Sequence, residues 1–235
     1  MTHKVNSLVD VVDFYKSKIY NPTRRIRPIN MYNKFKTNAS LYEKGILEKQ
    51  FSSCEGPGEL AFSWNWKVLV QEMPKEFTFL EVGVYQGRVL SLVQYLSDLF
   101  KKKAQIYGIT SGTIMDIKSS FDRSEVSIEH TQLLEGRSQD EETILFASER
   151  SYHLIFINGD HDYDTVLSDI LLYSKMLKPG GYLVIGNASV NVPYAYGLFL
   201  GYEEVVQAVS DTLDTNTHFC PLYTIGNQRV WRKTE

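Results

Sequence analysis

An α/β fold, with a mostly parallel seven-stranded sheet that ends in an antiparallel hairpin, is what this sequence predicts. Three observations carry that expectation. From residue 77 onward, short apolar runs of strand length alternate with amphipathic runs of helix length, joined by short connections. The first apolar run, in LEVGVYQG, closes on a glycine-bearing turn. The last two runs, HFCPLYTI and QRVWRK, are separated by Gly226-Asn227, a pair suited to a hairpin, so one of them runs antiparallel to its neighbour.

Taken in order, residues 1–75 predict a helical N-terminal extension and residues 76–235 the α/β core of a single domain. Leu8, Val9, Val11, Val12 and Tyr15 form one apolar helical face, stopped by Asn21-Pro22. LYEKGILEKQF follows, and then Gly56, Pro57 and Gly58 precede a helix that ends at Pro74. Trp64 and Trp66 lie two apart and cannot share one helical face; both are assigned to the core, with a cleft position for one as the alternative. FTFLEVG is the first strand, and QGRVLSLVQYLSDLFKKK is a helix whose three closing lysines suit the negative end of its dipole. AQIYGIT and TQLLEG are the next strands. SQDEETILFASER starts on a Ser cap, with acids in the first turn. YHLIFIN, the helix DTVLSDILLYSKML, the turn KPGG, the strand GYLVIG and the helix GYEEVVQAVSDTL complete the run.

A chain of 235 residues with 43% hydrophobic and 23% charged residues buries a sizeable core, and no Pro/Gly-rich linker divides it. A formal net charge of -3 argues against a nucleic-acid partner, whose backbone demands excess Lys and Arg. Arg24, Arg25, Arg27, Lys34 and Lys36 make one local basic segment, read as a solvated face, with a clamp for a phosphate or acidic group as the alternative. Cys54 and Cys220 are far apart and outside any metal-ligand spacing, which fits a reducing compartment. The N-terminus lacks a signal-peptide pattern, and no run approaches the roughly 18 apolar residues of a spanning helix. The expectation is a cytoplasmic protein with no membrane partner.

In an open α/β sheet a ligand sits beyond the carboxyl ends of the strands, so each end is read for chemistry. The first strand ends on Glu81 and Gly83, with Tyr85 and Gly87 in the turn. This GxxxG behind an acid differs from the GxGxxG of dinucleotide binders, and it suits a cationic ligand better than a pyrophosphate. The fourth strand runs through FINGDHDYD into Asp160, His161, Asp162 and Asp164, a concentration of polar groups that needs water, a ligand or a metal.

EVGVYQG, EGRSQD, INGDHDY and LKPGGYLVIGN, in that order, resemble the small-molecule O-methyltransferases of the class I S-adenosylmethionine-dependent group, which includes the catechol, caffeoyl-CoA and macrocin enzymes. The likeness covers residues 77 to about 190 and implies a Rossmann-like class I methyltransferase fold with S-adenosylmethionine as cofactor. It places Glu81, Gly83 and Tyr85 at the methionine end and Gly136, Arg137, Ser138 and Gln139 near the adenine, with Gly87 also among the cofactor-binding residues. The second strand of the family ends in an acid for the ribose hydroxyls. Here Thr110 and Ser111 offer neutral hydrogen bonds only; Asp116 reaches back instead, and either the cofactor is held less tightly or the loop 110–123 folds over it.

The resemblance also puts Asn158 where the family has an acid and His161 where it commonly has a Lys base. An imidazole suits general-base work at neutral pH, with Asp160 or Asp162 holding its tautomer and Asp160 also close to the cofactor; the alternative is that His161 caps the helix beginning near Asp162. Three family ligands hold magnesium, and here those positions are Asn158, Gly186 and Asn187. Magnesium prefers anionic oxygens, so Asp160 and Asn187 make at best a poor site, and catalysis without a required metal is expected. The implied activity is methylation of a hydroxyl on a small molecule, with a sugar or glycan favoured over a catechol. The N-terminal basic segment and the loop 191–202, with Tyr194, Tyr196 and Phe199, would wall the acceptor pocket; a homodimer is open to such a chain. The main alternative is a methyltransferase-fold protein that binds ligand without catalysis; a nicotinamide oxidoreductase and an RNA methyltransferase are disfavoured by GxxxG and by net charge.

Overall fold

Pro74 cannot extend the helix before it, so the chain leaves α1 (Glu59–Glu72) and enters β1 (Glu76–Val82), where Phe77, Phe79 and Leu80 are buried. The structure, a computed structural model, describes residues 59–188, 201–225 and 227–234, with the side chains of 59–64, 224 and 225 left aside. The expectations for the first helices, the basic segment, Cys54, Tyr194, Tyr196 and Phe199 lie outside the described residues, and that for the Trp64 side chain falls among those left aside.

The elements continue as α2 (Arg88–Leu99), β2 (Lys103–Thr110), α3 (Ile114–Arg123), β3 (Thr131–Glu135), α4 (Glu141–Ser148), β4 (Tyr152–Ile157), α5 (Tyr163–Tyr173), β5 (Leu177–Ile185), α6 (Glu203–Thr212), β6 (Phe219–Ile225) and β7 (Gln228–Lys233). They build a seven-stranded sheet in the order β3-β2-β1-β4-β5-β7-β6. β1 to β5 pair in parallel, while β7 runs antiparallel to both β5 and β6. The hairpin read from Gly226-Asn227 therefore closes the sheet by placing β7 beside β5.

Strands buried on both faces need two apolar layers, and the helices supply them. One layer takes Trp66 and Leu69 of α1, Leu90 and Val93 of α2, and Ile117 and Phe121 of α3. The other takes Ala147 of α4, Val166 and Ile170 of α5, and Val205 and Val209 of α6. Trp66 is a core residue, with its ring 4.9 Å from Phe156 and 5.7 Å from Phe79. Asn65 beside it ties α1 to the hairpin: it accepts from the Tyr223 hydroxyl at 2.7 Å and donates to Gln228 Oε1 at 3.2 Å.

Two local expectations are corrected. The three lysines do not close α2, which stops at Leu99; Lys103 belongs to β2, and Lys102 Nζ donates to the Gln71 and Met73 carbonyls that end α1. Unpaired carbonyls at a helix terminus attract a cation, whichever helix they belong to. The N-cap of α4 is Asp140, not Ser138, because Asp140 Oδ2 takes the Arg137 amide at 2.8 Å and fixes the turn before the helix.

Connections leaving β1 and β4 go to opposite faces of the sheet, α2 to one and α5 to the other. The carboxyl ends of those two neighbouring strands thus form the switch point at which open α/β sheets hold ligands.

Candidate functional site

At the switch point the first two loops touch through bare backbone. Gly83 has φ +87, and a Cβ there would lie 2.1 Å from Gly159 Cα. Only glycine fits this crossing. Gly87, with φ +74, starts α2, and a Cβ on it would lie 2.6 Å from Ile117 Cγ2, so this glycine lets α2 pack on α3. Between the two glycines Tyr85 stands out to solvent, 80% exposed.

Glu81 is the opposite case. It is 4% exposed, its Oε2 has no hydrogen-bond partner, and burial raises its pKa from 4.5 to about 8. A buried acceptor without a donor is costly unless a ligand supplies one.

The end of β4 resolves the polar cluster one residue at a time. Asp162 caps α5 by accepting from the Thr165 amide at 3.1 Å. Asp160 Oδ1 accepts from the amides of His161 at 2.7 Å and Asp162 at 3.3 Å. Neither carboxylate holds the His161 ring, and His161 is not the cap; those expectations are corrected, since both acids are taken by backbone amides. The ring partner is Asn187, whose Nδ2 lies 2.9 Å from His161 Nε2 and donates to Asn158 Oδ1 at 3.3 Å. Asn187 Oδ1 in turn accepts from Asn227 Nδ2 at 2.7 Å. With that amide donating, Nε2 is the acceptor and the ring proton sits on Nδ1. Tyr202 stacks on the ring at 3.9 Å and is pinned by its amide to the Asn187 carbonyl. Burial lowers the His161 pKa, while Asp160 pulls it up.

The third group is the β3–α4 turn. Gln139 Nε2 donates to Ser138 Oγ and to Asp169 Oδ1, both at 2.7 Å, and the Tyr173 hydroxyl donates to the Ser138 carbonyl at 2.6 Å. Gly136 donates its amide to the Thr110 carbonyl, and Arg137 is exposed. Asp169 is buried on α5 with Oδ2 unpartnered; burial raises its pKa to about 6, against the pull of Ser138 and Gln139. A Cβ at Gly159 would lie 3.8 Å from that oxygen, which links this turn to the glycine crossing. At the end of β2, Thr110 donates its hydroxyl to the Val84 carbonyl at 2.7 Å and accepts from the Gly112 amide at 2.9 Å; Ser111 is exposed. Asp116 does not reach back to this strand end, because its Oδ2 accepts from Thr113 Oγ1 at 2.8 Å and its amide is capped by the same residue.

Asn158, His161 and Asn187 are therefore brought together, with Gly83 and Gly159 at their side, while Thr110 and Ser111 belong to a separate turn. The sequence reading missed Gly159, Asp169 and Asn227. Asp169 was legible in principle: it shares the helix face of Val166, Ile170 and Tyr173, all buried, and an acid on an apolar stripe is a signal.

Residues 80–188 match the family described as a methyltransferase domain, and the strand order with its inserted antiparallel β7 is the one that class shares. The chain has the Rossmann-like class I methyltransferase fold. A cofactor-bound protein from MTB, Rv0187, has the same fold as this chain at a TM-score of 0.60 and 10% identity, covering 90% of this chain and 100% of that one. The O-methyltransferase NovP gives 0.54 at 13%, over 75% and 81%. CalS11, a TDP-rhamnose 3'-O-methyltransferase, gives 0.51 at 14%, over 96% and 92%. An uncharacterized protein of Acanthamoeba polyphaga mimivirus is 30% identical over 115 residues, which is 46% of this chain. The chain spans about half the length of that curated relative, 50%.

The fold implies S-adenosylmethionine, and this sheet edge fits it on its own chemistry: the orphaned Glu81 oxygen lacks a cationic donor, and the glycine turn lets a ligand approach the backbone. Magnesium does not fit. Asn158 Oδ1 is already an acceptor for Asn187, and a Cβ at Gly186 would lie 2.0 Å from it, so no carboxylate can project from that position. Among the described residues no group of three His, Cys, Asp or Glu side chains is placed to hold a metal ion, and no helix is long and apolar enough to cross a membrane.

Proposed function

We propose that this protein methylates a hydroxyl of a small acceptor, a sugar or glycan rather than a catechol, with S-adenosylmethionine as donor. One observation carries the reading: a buried carboxyl with an unpartnered oxygen, Glu81 near the end of β1, and a neutral imidazole, His161, just after the adjacent β4, lie at the switch point. When bound, the cofactor supplies a sulfonium methyl open to in-line attack by an oxygen. Glu81 would receive its ammonium group, and the turn at Ser138 and Gln139, fastened to Asp169, would face its adenine. His161 would take the acceptor's proton at Nε2 once the hydroxyl displaces the Asn187 amide, and the Asp160 charge beside it would steady the imidazolium. Asn187 keeps Asn158 and Asn227 as partners when it lets go, so the exchange leaves no buried amide unsatisfied.

The preference for a sugar rests on two supports. A catechol is held as a chelate by a metal, and the amides here do not suit one. The fold neighbour CalS11 is a TDP-rhamnose 3'-O-methyltransferase. The occupied Nε2 of His161 favours a second reading, a ligand-binding protein without turnover. Calorimetry with S-adenosylhomocysteine and with NAD, followed by a screen of glycosides with labelled methyl donor, separates these. Heat with S-adenosylhomocysteine and label in a glycoside are expected. Heat with NAD alone would end the methyltransferase reading, and binding without transfer to any acceptor would favour the second.

A further inference from the structure

We propose that Glu135, at the end of β3, supplies the carboxylate that receives the ribose hydroxyls of the bound donor; the inference rests on the methyltransferase reading. A vicinal diol is best held by a carboxylate, which accepts from both hydroxyls with charge assistance. The end of β2 offers none. Thr110 is buried with its hydroxyl spent on Val84 and Gly112, and Asp116 is turned to Thr113.

Glu135 is the residue paired with Thr110 across the parallel β2–β3 register, so it ends at the same edge of the sheet. Its side chain crosses toward α3, where Oε1 accepts from the Ile114 amide at 2.7 Å. That places an exposed carboxylate beside the turn that follows β2. Among the described residues its second oxygen has no donor. A plain capping role for α3 would explain Oε1 alone, and Thr113 already provides the N-cap of that helix.

Glu135→Gln separates the two roles, because the amide oxygen can still accept from Ile114 while the charge is lost. Binding is measured by titration calorimetry for S-adenosylhomocysteine and for the same compound without its two ribose hydroxyls, with a thermal melt as a control for folding. The variant should melt like the wild type and bind S-adenosylhomocysteine about tenfold more weakly or worse. It should bind the dideoxy compound as the wild type does, the signature of a direct coupling. Equal loss for both ligands, or loss for neither, overturns the proposal. A wild-type protein that binds neither ligand overturns the methyltransferase reading itself, and this proposal with it.

Discussion

A half-buried imidazole whose Nε2 already accepts a hydrogen enters any reaction as the neutral base. Because burial holds its pKa below the ordinary 6.5, the acid limb of kcat/KM should lie below that value. His161→Ala should lower turnover ~10²-fold or more and leave S-adenosylhomocysteine affinity within a small factor; unchanged turnover would place proton removal elsewhere. Glu81 gives a second prediction, in stability. Its folded pKa of about 8 lies above the unfolded 4.5, so the native state keeps a proton that the unfolded chain gives up between those values. Its contribution is fully present below 4.5 and is lost as pH rises to about 8, on the order of a few kcal/mol. Asp169 adds the same sign over its own window, from 3.8 to about 6, whereas His153 and His161, both lowered, act oppositely as pH falls through the imidazole range. Denaturant melts from pH 5 to 8 should show Glu81→Gln gaining on the wild type as pH rises. Parallel pH curves for the two proteins would mean that Glu81 is ionised in the fold.

Among the elements, the ends of β4 and β5 bear on metal binding. Asn187 adopts φ 57, a left-handed conformation that asparagine tolerates, and this turns its amide toward Asn158 and His161. Two neutral amides meeting there present no anionic oxygen of their own to a hard cation. Methyl transfer should therefore survive EDTA within about twofold; complete loss on chelation, restored by magnesium, would refute the amide arrangement as the working one. Most elements were legible because their apolar patterns are strong: β4 and the second half of β5 are nearly continuous apolar runs, β1 is mostly buried, and α2 and α6 carry one apolar face each. The pairing of polar groups was not legible. LIFINGDHDYD reveals that acids and an imidazole cluster after β4, but not that Asp160 and Asp162 answer to backbone amides while the imidazole answers to Asn187, 26 residues on. Such partners are set by strand order, because β5 lies beside β4, and no local propensity encodes that.

Across the molecule, the site depends on two loops from opposite faces meeting where α2 and α5 diverge. Gly83 and Gly159 form that meeting, backbone against backbone, and this changes what a substitution there tests. From sequence, a side chain at Gly83 would be expected to block the cofactor. The geometry places its Cβ 2.1 Å from Gly159 Cα and within 2.7 Å of the Asn158 carbonyl carbon, so the first obstacle is the protein itself. A β-branched residue would also be strained at φ +87. Gly83→Val should then cost roughly 3 kcal/mol or more, from backbone strain and overpacking together. Melting temperature, S-adenosylhomocysteine affinity and the contact of Asn158 with Asn187 would fall together, because spreading the β1 and β4 loops displaces the strand end that carries both Asn158 and His161. Thermal melts and calorimetry on one preparation decide this: a variant with unchanged melting temperature that no longer binds ligand would show the crossing to be open, with the glycine needed only for the ligand's approach.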